Sequence, residues 1–236
     1  MKKLFIITLI LFVLSTGSWA SALKTVDIAT LNWKPYVGET MRGYGYTAEI
    51  VTKAFKEAGY EANYHFMSWI KALDLTRAGE YDACMPAYYS KPRARSFTFS
   101  DSFAESPVVL AAKKGSGIAY KNLRDLIPYR IGVVRGFVNG ERFDAAEYLN
   151  KVVAESNLAN FKKLLRNEID LLAIDKLVAI NLLKNNPTLE AELDDIQFIY
   201  PPVGVKKIYV MFSNDIENKE ILKSGFNQGL SRIKEQ

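Results

Sequence analysis

The chain is poor in the residues that most enzyme sites require. Among its 236 residues there is one cysteine, Cys84, and one histidine, His65. A lone thiol excludes an internal disulfide and a thiolate metal cluster, and its ordinary place is as a small buried apolar group. A lone imidazole removes most nucleophile–base pairs and histidine-rich metal sites. His65 falls in an alternating stretch with no cysteine or acid beside it at ligand spacing, which reads as a structural position. Gly43 and Gly45 lack the third glycine of a dinucleotide turn, and there is no P-loop sequence. No cofactor, metal or catalytic residue is therefore expected.

Long apolar runs are missing as well. The stretch from Leu4 to Leu14 is about 11 residues, where a membrane span needs roughly 20. It follows Lys2 and Lys3 and leads into Ala20-Ser21-Ala22, the pattern of a cleaved secretion signal over 1–22 with the mature chain from Leu23. With no cysteine near that site there is no thiol for a lipid anchor, so the expected location is the periplasm. The formal charge of +5 is carried by basic residues scattered among acids rather than gathered in a stripe, which disfavours nucleic acid. Apolar residues make up 49% of the chain, enough to exclude disorder.

What is present is an alternation of β-rich runs with helical patterns, the rhythm of parallel sheets covered by helices, so the fold class is α/β. Strands are expected at Val26–Leu31, Ala62–Phe66, Tyr81–Ala87 and Pro107–Lys113 in a first half. A second half has them at Arg130–Arg135, Val152–Ala154 and Asp170–Ile174, with Lys207–Phe212 returning afterwards. Helices with apolar faces lie between them, including a capped one after Ser68, one from about Gly140 to Leu149, and a last one through Leu222, Phe226, Leu230 and Ile233. Lys114–Gly117 and the segment with Pro201, Pro202 and Gly204 read as two crossings. Lobe 1 is then 23–113 with 205–236, and lobe 2 is 114–204.

Several side chains sit where such a fold binds ligands, beyond the carboxyl ends of strands. Arg93 and Arg95 follow a strand within Ser90-Lys91-Pro92-Arg93-Ala94-Arg95. A guanidinium there either grips a carboxylate through two parallel hydrogen bonds or makes an ordinary surface pair. Trp33 and Trp69 either stack on a ligand or fill the core. Asp175, ahead of a helix, either receives an ammonium group or caps the helix.

The run from Trp69 to Ser100, with Gly79, Tyr81-Asp82, Ser90-x-x-Arg93 and Phe99-Ser100, resembles the extracellular solute-binding proteins of family 3, the polar amino-acid receptors of ABC importers. Gly45-Tyr46-x-x-Glu49-Ile50 and Ile169 through Asp175 match two further stretches of that family. The resemblance runs from about Val26 to the final helix. It implies a two-lobed periplasmic-binding-protein fold of type II, each lobe a mostly parallel sheet flanked by helices, joined by two hinge crossings. It implies a monomer that captures a small amino-acid-like molecule for an inner-membrane ABC permease, or for a sensory receptor or kinase. Dehydratases of cyclohexadienyl acids share the fold, with Asp175 the nominee for acid catalysis in that reading. The resemblance makes Arg93 the ligand's carboxylate partner and Asp175 its ammonium partner, and it leaves Arg95 on the surface. The ligand-binding set is Trp33, Tyr36, Trp69, Ala87, Tyr88, Arg93, Phe137, Val138 and Asp175. This chain departs from the family at Gly136-Phe137-Val138-Asn139, where hydroxyl side chains are lost and backbone N–H groups remain as the expected donors. It departs again at Pro86-Ala87-Tyr88-Tyr89, where rings replace small polar residues and suit a bulkier or aromatic ligand. It also stops at Gln236, earlier than most relatives.

Overall fold

The computed structural model describes residues 24–189 and 193–235; the expected signal at 1–22 lies outside them. Among the described residues nine strands form one continuous, curled mixed sheet with helices packed on it. Its first half holds β1 (Lys24–Thr30), β2 (Tyr60–Phe66), β3 (Ala83–Tyr88) and β4 (Phe97–Phe99), with α1 (Tyr46–Glu57), α2 (Trp69–Arg77) and α3 (Lys91–Ala94) between them. The second half holds β6 (Arg130–Val134), β7 (Asn150–Ala154) and β8 (Leu171–Asp175), with α4 (Glu141–Asp144), α5 (Asn157–Leu165) and α6 (Lys176–Asn185). Two strands belong to both halves, β5 (Ala104–Lys113) and β9 (Ile196–Ser213), and α7 (Lys219–Lys234) returns to the first.

The helices start and stop where local chemistry directs. Ser90 and Ser156 cap α3 and α5 by accepting the backbone N–H groups of Arg93 and Ala159. Gly59 and Gly79, just past α1 and α2, have φ of +81° and +76°, the left-handed geometry that ends a helix without a Cβ penalty. The parallel pairs β1–β2, β1–β3, β6–β7 and β6–β8 need crossovers, and the helices supply them. Phe55, on the buried face of α1, packs against Phe212 of β9 and Phe226 of α7 with ring centroids 6.3 and 5.1 Å away. Cys84 is buried and free. His65 is paired with Asp27 at 2.7 Å on the neighbouring strand.

The joint between the halves is made inside strands. Residues 104–108 of β5 pair with the later part of β9, and residues 110–113 pair with its earlier part. Between these two ladders Val109 alone faces Tyr200 through Val203, since Val108 pairs with Gly204 and Leu110 with Ile199. The mismatch lies within β5, before the Lys114–Gly117 turn, and within β9 at the proline segment. The expected turn and the short strand at Lys207–Phe212 are the visible ends of two longer strands. Alternation is broken there because both faces of β5 are covered from Val108 to Ala112, so period-two patterning carries no signal. The expected helix from Gly140 is only the single turn Glu141–Asp144.

Candidate functional site

The site forms where the carboxyl ends of β1, β3, β6 and β8 face one another across the joint. After β1 the chain folds back in a tight turn in which Tyr36 N–H donates to the Trp33 carbonyl at 3.0 Å and Trp33 N–H to the Val37 carbonyl at 2.8 Å. The first turn of α1 then grips this turn from behind, since Thr47 donates from both its hydroxyl and its N–H to the Tyr36 carbonyl. Gly45 is required for that approach: its φ is +98°, and a Cβ there would press on the Tyr36 carbonyl. The result is a stacked pair, Trp33 on Tyr36, with centroids 4.4 Å apart. Tyr88 at the end of β3 meets Trp33 edge-on at 5.7 Å.

Arg93 enters from α3. Its Nη1 donates to the Tyr88 carbonyl and its Nη2 to the Gly136 carbonyl of the second half, both at 2.8 Å. The guanidinium also lies 5.3 Å from the Trp69 ring centroid, a cation–π distance. Among the described residues no carboxylate lies within ion-pair distance of it. Burial lowers its pKa to about 10 while the charge of Asp144, farther off than an ion pair, pulls it back up, so the group remains a cation at neutral pH. Arg95 is exposed.

Leu31, Trp33, Trp69, Pro86, Tyr88, Arg93, Phe137 and Val138 enclose a cavity of about 30 Å³ at the joint. That is room for a water molecule or two. Two grooves of about 790 and 760 Å³ open on either side, and Phe137 borders both as well as the cavity. The Trp33 indole N–H is buried with no hydrogen-bond partner, an uncommon state for a buried donor.

Asp175 closes β8 and caps α6, accepting the Val178 N–H at 2.9 Å. Its other oxygen accepts the Tyr36 hydroxyl at 2.8 Å and the Ser106 hydroxyl, and Ser106 is also bonded to the Tyr88 hydroxyl. Burial pushes the Asp175 carboxyl pKa up, while the Ser106, Val178 and Tyr36 donors pull it back down. Tyr36 is pushed well above its usual range by burial and by the neighbouring Asp175 charge.

Of the sequence-predicted residues, Trp33, Trp69, Tyr88, Arg93, Phe137 and Val138 border one cavity. Tyr36 and Asp175 stand behind its wall, and Ala87 is buried in β3 beside Tyr88. Sequence reasoning missed Leu31 and Ser106; a serine inside a hydrophobic strand carries no ligand signal. The loop after β6 engages part of the expected donor set internally. The Asn139 and Gly140 N–H groups donate to the Asp144 carboxylate at 3.0 and 3.1 Å, and the Phe137 N–H to the Val134 carbonyl. Those donors are spent within the loop.

The match to the model of bacterial extracellular solute-binding proteins, family 3, spans residues 27–236. No curated protein matches the chain in sequence. Among solved structures, the arginine-bound form of truncated ArgBP from T. maritima superposes with a TM-score of 0.72 at 15% identity, covering 89% of this chain and 96% of that one. An ancestral arginine-binding protein bound to arginine gives 0.74 at 19%, covering 91% and 94%. A histidine kinase sensor domain with similarity to periplasmic binding proteins gives 0.78 at 15%, covering 91% and 92%. At these identities the likeness is one of fold.

Proposed function

The chain belongs to the bacterial extracellular solute-binding proteins, family 3, and from that membership we propose that it captures a small, carboxylate-bearing, amino-acid-like solute between its halves in the periplasm and delivers it to an inner-membrane ABC permease. The observation that carries this reading is Arg93, a cation with no carboxylate partner among the described residues, set on Trp69 at the wall of an aromatic cavity. A ligand carboxylate would satisfy the guanidinium donors left over from Tyr88 and Gly136 through charge-assisted bonds, which are about twice as strong as neutral ones. Trp33, Trp69, Tyr88 and Phe137 supply flat apolar walls for the rest of the guest.

Binding and closure are then one event. Arg93 already bridges to Gly136 across the joint, so an anion on its remaining donors favours the closed arrangement over the open one by its extra contacts there. The protein binds without chemical turnover in this scheme. The fold-level likeness to a kinase sensor domain supports a second delivery route, to a sensory receptor rather than a permease; the cleft and its ligand are the same in both.

Calorimetry against a panel of amino acids and small organic acids tests the proposal. Wild-type protein should bind a carboxylate-bearing member, and Arg93→Ala should weaken it more than about tenfold, a loss of about 1.4 kcal/mol or more, with the melting temperature of the free protein unchanged within a few degrees. Equal binding by the two proteins would overturn it.

A further inference from the structure

One of the two grooves beside the cavity, of about 760 Å³, takes its walls from both halves. Trp33, Trp69 and Phe137 border this groove and also the cavity that holds Arg93, so a guest whose acid group sits on Arg93 meets the groove along these rings. Beyond the rings its polar lining is rich in side-chain amides. Asn157, the first residue of α5, is 9% exposed, and its amide makes no hydrogen bond among the described residues. A polar side chain so deeply buried ordinarily has a partner. Asn181 of α6 likewise keeps its amide free, its backbone carbonyl alone being taken, by Asn185 at 3.1 Å. Asn32, from the first half, accepts the Glu39 N–H at 2.9 Å and keeps its amino group open.

The charges around the groove offset one another. It is lined by one basic and one acidic side chain, both exposed: Lys34 donates to the Thr40 hydroxyl at 2.8 Å, and Glu155 accepts Nε of Arg135 at 2.9 Å. The helix ends are balanced as well. α2 and α5 bring their N-terminal ends, through Ser68 and Ser156, while α6 brings its C-terminal end through Asn185 and Asn186, so partial charges of both signs meet there. The groove on the other side, which Arg93 borders directly, is of another kind. Its Glu141 is paired with Lys91, and its Asp144 takes the Asn139 and Gly140 N–H groups. Those acids are engaged within the chain, whereas the amides of the first groove stand open.

A carboxamide donates and accepts at once, and it is best met by a guest group that does the same. A carboxylate or a cation would use half of each amide and would leave water without a counter-charge, which is costly. We propose that this groove is a seat for an uncharged amide, so that the solute is a carboxylate whose far end is a carboxamide or ureido group, read by Asn157 and Asn181. This rests on the reading that Arg93 holds the ligand's acid group. The amides come from the second half and the tryptophan walls from the first, so the seat is whole only when the halves meet.

The test is calorimetry on two pairs that differ only at the far end, L-citrulline with L-arginine and L-glutamine with L-glutamate, each against wild type, Asn157→Asp, Asn181→Ala and Arg93→Ala. In wild type the uncharged member of at least one pair should bind at least fivefold tighter than its charged partner, and neither charged member should bind tighter than its uncharged one. Asn157→Asp keeps the side chain's shape and suits a helix start; it should cut the citrulline-to-arginine ratio at least tenfold with the melting temperature unchanged within a few degrees. Asn181→Ala should narrow the same ratio at least threefold. Arg93→Ala should weaken every ligand together and leave the ratios as they were. Arginine or glutamate binding tighter than its uncharged partner, or a citrulline-to-arginine ratio unmoved in Asn157→Asp, overturns this inference and leaves the carboxylate reading standing. Ratios as expected with affinities indifferent to Arg93→Ala overturn the carboxylate reading and leave the groove's preference standing. Absence of binding by all four overturns both.

Discussion

The carbonyl oxygen of Gly136 receives Nη2 of Arg93 at 2.8 Å across the joint. Gly136 holds a φ of +73°, and a Cβ at that position would be driven into the Ile70 side chain of the first half. A residue that presents its carbonyl to the opposite half and has no side chain to obstruct it is a contact point for closure. Gly136→Ala therefore combines left-handed backbone strain, of order 1–3 kcal/mol, with a displacement of the Ile70 side-chain tip wherever the halves meet. The expected outcome is a loss of affinity of about tenfold or more together with a larger radius of gyration in ligand-saturated solution scattering.

A second bridge crosses the joint nearby, Lys91 to Glu141 at 2.8 Å, but its side chains are 76% and 77% exposed. Water and salt screen such a pair, and holding two long side chains costs entropy. Lys91→Ala should change the dissociation constant by less than about threefold, with the difference vanishing in 0.5 M salt. Isothermal titration at two ionic strengths separates this pair from the Arg93 contact, whose loss salt would not mask.

Phe55 anchors a cluster remote from the joint. It is fully buried and touches the aromatic rings of both β9 and α7, so Phe55→Ala leaves a cavity that its neighbours fill poorly. The expected cost is about 3–5 kcal/mol in denaturant unfolding, with ligand stoichiometry in native buffer unchanged.

Acid should weaken the second half through Asp170. Its carboxylate accepts Nη2 and Nε of Arg130 at 2.8 and 3.0 Å and the Arg130 N–H at 2.8 Å. These bonds, the Arg130 side chain foremost, hold its pKa below the usual carboxylate value. A folded-state pKa lower than the unfolded one means the stabilisation is complete above the unfolded value, about 3.9. It is lost as pH falls through the lower folded value. Asp170→Asn should lower the melting temperature at pH 7 by no more than about 3 °C, because the pair is partly screened. The gap from wild type should close as pH falls below about 4; a gap that persists at pH 2 would contradict the pairing.

The parts of the fold that could be read from the residues are those where one face meets water. The alternation of β2, the apolar stripe of α1 and the glycines ending α1 and α2 are written locally, and the structure follows them within a few residues. The joint could not be read that way. β5 is covered on both faces, and β9 carries two prolines in its middle, which local chemistry interprets as an interruption. Their pairing depends on residues about 90 positions apart, such as Val109's neighbours and Gly204. The site divides along the same line. Arg93 and the tryptophans stand out by type and place, which left each between a ligand contact and an ordinary surface or core role. That Asp175 is engaged by Tyr36 and Ser106, at separations of 139 and 69 residues, is a fact of three-dimensional proximity that no local pattern encodes.

The extra residues of β9 opposite Val109 give the joint a mechanical character. Unbroken ladders lie on both sides of them, so the two halves are neither hung on slack linkers nor fused into one plate. They share a paired ribbon whose register breaks once, opposite Val109. Whatever turns one half against the other must therefore pass through Tyr200–Val203, the only residues of β9 between the two ladders.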